Sequence, residues 1–231
     1  MHSIDAAQIA VNITAVREKI ALAARRAGRD QGEIMLVAVS KTYPPEAIAA
    51  AVEAGVTDIG ESRVQEGTDK INSLGPVARW HLIGHLQSNK AARAVDSIDM
   101  IQSLDSTAIA EKVSLEAVKL GKTIDCLIEV NSSGEDSKYG FPPDRTIDAA
   151  DMIAHLPGIT LRGVMTIGPW TSDEGNIREA FESTRRIFEM MKAKLGDPIG
   201  ILSMGMSSDY ELAVACGSTM VRVGAAVFGA R

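Results

Sequence analysis

Lys41 ends the apolar run Ile34-Met35-Leu36-Val37-Ala38-Val39-Ser40. A run of that length, rich in branched residues, reads as a strand buried on both faces. Pro44-Pro45 comes soon after, and Glu46-Ala47-Ile48-Ala49-Ala50-Ala51-Val52 opens a helix. The lysine is therefore expected where a parallel strand hands over to its helix, above an apolar floor. Partial desolvation there lowers a lysine's pKa and frees its amine to attack a carbonyl. An ordinary lysine whose stem runs over apolar surface would read the same way.

A second group lies near the other end of the chain. Gly205-Met206-Ser207-Ser208-Asp209 precedes a helical pattern, whose amide groups and positive dipole end favour an anion. Arg222 leaves an apolar strand, and Gly224 follows where a missing side chain lets backbone amides approach a ligand. A capped helix beside a structural ion pair is the alternative. With Lys41 on the same face, the two groups suit a phosphorylated aldehyde, its carbonyl at the lysine and its phosphate in the glycine-serine pocket.

The elements that must position these residues follow from hydrophobic periodicity. From Asp5 to Ala27, Ile9, Ile13, Val16, Ile20 and Leu22 recur at helical spacing, and Gly28 closes the helix. Strands are expected at residues 34–40, 57–60, 80–84, 100–103, 123–131, 160–167, 199–204 and 220–223. Helical stretches at 63–74, 106–120, 145–155, 174–195 and 209–216 lie between them. Such alternation implies parallel pairing with right-handed crossovers. About eight strands in a chain of this length favour an α/β fold, a single (β/α)8 TIM barrel with an extra N-terminal helix, spanning residues 1–231 as one domain. An open doubly wound sheet is the alternative. In such a barrel the reacting groups sit on loops at the carboxyl ends of strands, and each expected end carries Gly, Ser, Asn or a charge.

Composition limits the function classes. The chain has 231 residues, 45% hydrophobic, and a net charge of −6. Its basic residues are scattered, which gives no electrostatic footprint for nucleic acid. No apolar stretch approaches the roughly 20 residues that span a bilayer. The N-terminal residues lack a signal-peptide pattern, and Cys126 and Cys216 read as buried thiols. A soluble cytoplasmic protein is expected. His81 and His85 are four residues apart, but along a strand this spans about 13 Å, so no metal site is expected. His85 reads as a polar loop residue, with proton transfer as the alternative.

Five stretches carry a resemblance to a known family: Val39-Ser40-Lys41-Thr42, Gly60-Glu61-Ser62-Arg63-Val64-Gln65-Glu66, Trp80-His81-Leu82-Ile83-Gly84-His85-Leu86-Gln87-Ser88-Asn89-Lys90, Gly163-Val164-Met165-Thr166-Ile167, and Leu202 to Arg231. On these the chain resembles the pyridoxal 5′-phosphate (PLP) homeostasis protein family, whose barrel is similar to the amino-terminal domain of alanine racemase. The resemblance implies PLP as cofactor and Lys41 as the Schiff-base lysine. It places Ser207 and the amides of Gly224 and Ala225 at the phosphate, and Arg222 at the pyridine nitrogen. Ser62 stands where the family usually has Asn, and His85 where it commonly has Pro. Lys138 matches a family lysine and offers either a second amine for transfer or a loop cation that closes a lid.

The function implied is intracellular buffering or delivery of PLP, with PLP-dependent apoenzymes as possible recipients and a monomer expected. Arginine at the ring nitrogen disfavours its protonation and weakens the electron sink. The racemases add a tyrosine base from a carboxy-terminal β-domain, whereas this chain ends at Phe228-Gly229-Ala230-Arg231, directly after the eighth expected strand. Little or no turnover is expected. A PLP-dependent racemase or lyase is the alternative, and an aldolase-like barrel using Lys41 without cofactor is a further one.

Overall fold

A computed structural model describes residues 5–135 and 137–229. Asp136, together with Ala230 and Arg231 of the last matched stretch, lies outside them. Eight parallel strands close into a barrel in sequence order. They are β1 Met35–Val39, β2 Asp58–Glu61, β3 Arg79–Leu82, β4 Met100–Leu104, β5 Ile124–Glu129, β6 Ile159–Met165, β7 Ile201–Ser203 and β8 Met220–Val223. The open sheet is thereby excluded: β1 pairs with β8 as well as with β2.

The helices are α1 Ala6–Arg26, α2 Pro45–Glu53, α3 Val64–Leu74, α4 Ala91–Ser97, α5 Thr107–Lys119, α6 Thr146–Ala154, α7 Glu174–Leu195, α8 Tyr210–Ala215 and α9 Ala225–Phe228. Two of them, α4 and α9, fall outside the helical stretches read from the sequence. Both are short, seven and four residues, and too brief to establish a 3.6-residue period.

Alternation along the strands explains why they are apolar throughout. In β1, Val37 points into the barrel with Met100, Leu127, Met165 and Met220, while Ala38 joins the layer between strands and helices. Asp5 caps α1 by accepting from the Gln8 amide at 3.0 Å, and Arg25 and Arg26 complement the dipole at its other end. The buried face of α1 (Ile9, Ile13, Val16, Ile20) packs over α2, α8 and α9. This is the extra N-terminal helix, and it covers the seam where β8 meets β1.

One glycine has a clear structural reason. Between β5 and β6 the register shifts as Cys126 pairs with Leu161 and Leu127 with Gly163. Gly163 has φ +150°, and a Cβ there would collide with the Ile201 carbonyl. No helix of the described residues is long and apolar enough to cross a membrane.

Candidate functional site

The β1–β8 ladder decides whether the amine and the anion pocket can share a ligand. Val37 pairs with Arg222 and Ala38 with Val223. The chain therefore leaves both strands at one rim, with Lys41 two residues beyond β1 and Gly224 immediately beyond β8. A Cβ added to Gly224 would lie 3.2 Å from the Val39 carbonyl oxygen. Lys41 is exposed in a turn, so the partial desolvation expected from the apolar run does not extend to its side chain. The run ends at buried Ser40, and the chain turns outward directly after it.

The residues expected to form the anion pocket belong to α9 and the loop after β7. Ser207 Oγ accepts hydrogen bonds from the amides of Gly224 at 3.1 Å and Ala226 at 3.3 Å. The helix expected at 209–216 contributes differently, because Asp209 Oδ1 accepts from the Met206 amide at 2.6 Å. A carboxylate already occupies that amide. The converging donors instead belong to the first turn of α9, which was not legible in the sequence. Gly205 makes the approach possible: at φ +95° its Cβ would lie 2.5 Å from the Ala213 Cβ and 2.9 Å from the Tyr210 Cα.

Arg222 lies beneath this rim and is buried. Its terminal nitrogens donate to Ser203 Oγ at 2.6 Å and to the Thr166 carbonyl at 2.8 Å, both neutral oxygens. Burial lowers its pKa to about 10, against the opposing pull of Glu129 and Asp209. From Ser203 a polar chain continues across the barrel interior. Ser203 donates to Gln102 Oε1 at 2.7 Å, Gln102 Nε2 lies 3.0 Å from His81 Nδ1, and His81 Nε2 lies 2.8 Å from Asp58 Oδ1. With Gln102 donating, His81 Nδ1 accepts and the ring proton faces Asp58. Asp58 is held below the usual carboxylate range: burial works upward, but the hydrogen bonds from His81 and Thr57 outweigh it.

Two carboxyl groups lie at the mouth: Asp105, at a strand end expected from the sequence, and Glu129, which the sequence does not single out. Glu129 ends β5, and burial raises its pKa to about 7, helped by the nearby Asp105 charge and opposed by Arg222. Asp105 follows β4 and lies 2.6 Å from His85 Nδ1. The His85 ring stacks on Tyr139 with centroids 3.8 Å apart. His81 is thus committed to Asp58 and His85 to Asp105, and the two do not converge on a common point. Lys138 donates to Glu135 Oε1 at 2.7 Å and to the Gly168 carbonyl at 2.8 Å, which joins it to the segment after β6. Ser62, after β2, packs its backbone against Gly84, where a Cβ would collide with the Ser62 carbonyl.

The donor set suits PLP in its chemistry: amide and hydroxyl groups after one strand, an amine after the neighbouring one, and a buried guanidinium on β8. Polar residues at alternate positions of otherwise apolar strands (His81, Gln102, Ser203) are the signal that would have found the interior chain.

The alanine racemase N-terminal domain family model matches residues 11–231. The pyridoxal phosphate homeostasis protein of Escherichia coli is 42% identical over 230 residues, covering 96% of this chain and 97% of that protein. The crystal structure of an unknown protein from Bifidobacterium adolescentis superposes with TM-score 0.94 at 41% identity, covering 99% of this chain and 97% of that one. PipY of Synechococcus elongatus, solved with PLP bound, superposes with TM-score 0.83 at 33% identity, covering 96% of this chain and all of PipY. The chain belongs to the alanine racemase N-terminal domain family and, within it, to the pyridoxal phosphate homeostasis proteins.

Proposed function

We propose that this chain binds PLP as a Schiff base on Lys41 and serves intracellular PLP homeostasis, buffering or delivering the cofactor with little or no turnover. The observation that carries the reading is the meeting of β1 and β8 at one rim, which brings Lys41 alongside the Ser207–Gly224 pocket. PipY, a relative with the same barrel, has been solved with PLP bound, and the curated relatives are named for PLP homeostasis.

In this reading the Ser207 hydroxyl and the amides of Gly224 and Ala225 receive the phosphate, the Gly224 amide exchanging its bond to Ser207 Oγ for one to a phosphate oxygen. Ser207 donates its hydrogen to a phosphate oxygen. Lys41 would supply the amine that links to the aldehyde, with water as the leaving product. Arg222, held by Ser203 and Thr166, would be the cation beside the ring nitrogen and would disfavour its protonation. PLP supplies a ring that withdraws electrons from a substrate carbanion, and an unprotonated ring nitrogen does this poorly. Lys138, its ammonium engaged by Glu135 and the Gly168 carbonyl, would serve as a loop cation that closes a lid or as a second amine for transfer.

A PLP-dependent racemase or lyase is the second reading, favoured by one observation. The His85–Asp105 pair places an acid–base group at the mouth. Titration of the purified protein with PLP separates binding from its absence: an imine absorption band that Lys41→Ala lacks supports the proposal, and an unchanged spectrum refutes it. Exchange of the α-hydrogen of amino acids in deuterated water separates carriage from catalysis. Fast exchange would favour the enzyme.

A further inference from the structure

A buried ion cluster stands behind the Lys41 turn, and the binding chemistry above makes no use of it. Lys70 of α3 is buried, and its ammonium donates to three oxygens. These are the Ser40 carbonyl at 2.8 Å, Glu61 Oε1 at 2.6 Å and Glu66 Oε1 at 2.8 Å. The same two carboxylates reach the residues on either side of Lys41. Glu61 Oε1 accepts from Ser40 Oγ at 2.5 Å, and Glu66 Oε1 accepts from the Thr42 amide at 2.5 Å.

Thr42 has φ +68°, a left-handed conformation that a β-branched residue adopts only under constraint. The constraint is visible: its amide is bound by Glu66, and the Tyr43 amide closes the turn on the Ser40 carbonyl at 2.9 Å. Two carboxylates share one ammonium, and Glu61 Oε2 is buried without a hydrogen bond. Burial raises the Glu61 pKa against the pull of Lys70 and Ser40. Glu66 is held low because its bonds from Lys70 and Thr42 outweigh burial. Such a cluster adds little net stability over apolar packing, but it fixes a geometry that apolar contacts would not.

We propose that Lys70, acting through Glu61 and Glu66, is a positioning residue for Lys41: it holds the strained turn from which the Lys41 amine reaches the aldehyde. This rests on Lys41 being the PLP-linking amine. Lys70 touches neither end of the pocket described above, so its effect belongs to carbon–nitrogen bond formation and not to recognition of ring or phosphate.

Two ligands separate those steps: PLP, and pyridoxine phosphate, which carries an alcohol in place of the aldehyde. The proteins are wild type, Lys41→Ala, Lys70→Met, Lys70→Arg and Glu66→Ala. Glu66 is partly exposed, so its variant keeps the test available should Lys70→Met fail to fold. For Lys70→Met and Glu66→Ala, pyridoxine phosphate affinity should stay within about twofold of wild type, while the rate of imine formation with PLP falls about tenfold or more. Lys70→Arg should recover part of that rate. Unchanged imine formation in a folded variant overturns the proposal, and so does parallel loss of both ligands. A wild-type protein without any Lys41-dependent imine instead overturns the PLP-lysine reading, and this inference with it.

Discussion

The Gly224 amide donates to Ser207 Oγ at 3.1 Å, joining the first residue after β8 to the loop after β7. Gly224 also lies against the Val39 carbonyl at the end of β1. One backbone position therefore links the proposed anion pocket to the strand that precedes Lys41. Ser207→Ala removes the hydroxyl and leaves the Gly224 and Ala226 amides without that acceptor. PLP affinity should fall about tenfold, as for one lost hydrogen bond to a charged group. Affinity for pyridoxal, which lacks the phosphate, should be unchanged. Comparative titration of the two ligands checks this.

Gly205→Ala tests the loop that delivers Ser207. The added methyl meets the Ala213 Cβ at 2.5 Å and the Tyr210 Cα at 2.9 Å, on a backbone with φ +95°. Crowding and strain together should cost about 2–4 kcal/mol of unfolding free energy, readable by urea denaturation.

The Glu129 carboxyl makes stability depend on pH. Its pKa rises from 4.5 to about 7 on folding, by burial and the Asp105 charge against the pull of Arg222. The native state therefore holds a proton that the unfolded state has released, and stability falls as pH rises from 4.5 through 7. Above that window the loss is complete. Glu129→Gln should be more stable than wild type at pH about 8.5, by about 2–3 kcal/mol, and similar to it at pH about 4.5. Urea unfolding at both pH values measures the difference.

The barrel and its rim were legible because strands buried on both faces produce apolar runs, and their carboxyl ends interrupt those runs with Lys41, Ser207 and Gly224. Parallel order then placed these ends together. What escaped the sequence depends on contacts across the barrel. Gln102 looks like an ordinary polar residue until Ser203 and His81 are brought to either side of it. The pairing of Lys70 with Glu66 has ordinary i,i+4 spacing, and only the fold turns it and Glu61 toward the Lys41 turn. The four residues of α9 are too few for a period, although Gly224 marks where it begins.

Gln102→Leu should cut the interior chain. It leaves His81 Nδ1 and Ser203 Oγ without the partner between them, in a space closed to water. The expected destabilisation is about 2–4 kcal/mol. PLP affinity should fall as well, because Arg222 loses the fixed acceptor that orients it. Ser203→Ala should weaken PLP binding similarly, and calorimetric titration of both variants is the check.

The most direct test of the account maps the covalent link itself. Wild-type protein loaded with PLP is reduced with borohydride, digested and sequenced by mass spectrometry. A phosphopyridoxyl group on Lys41, absent from Lys41→Ala, is the result expected. A group confined to Lys138 or to any other lysine, with Lys41 unmodified, would contradict the account.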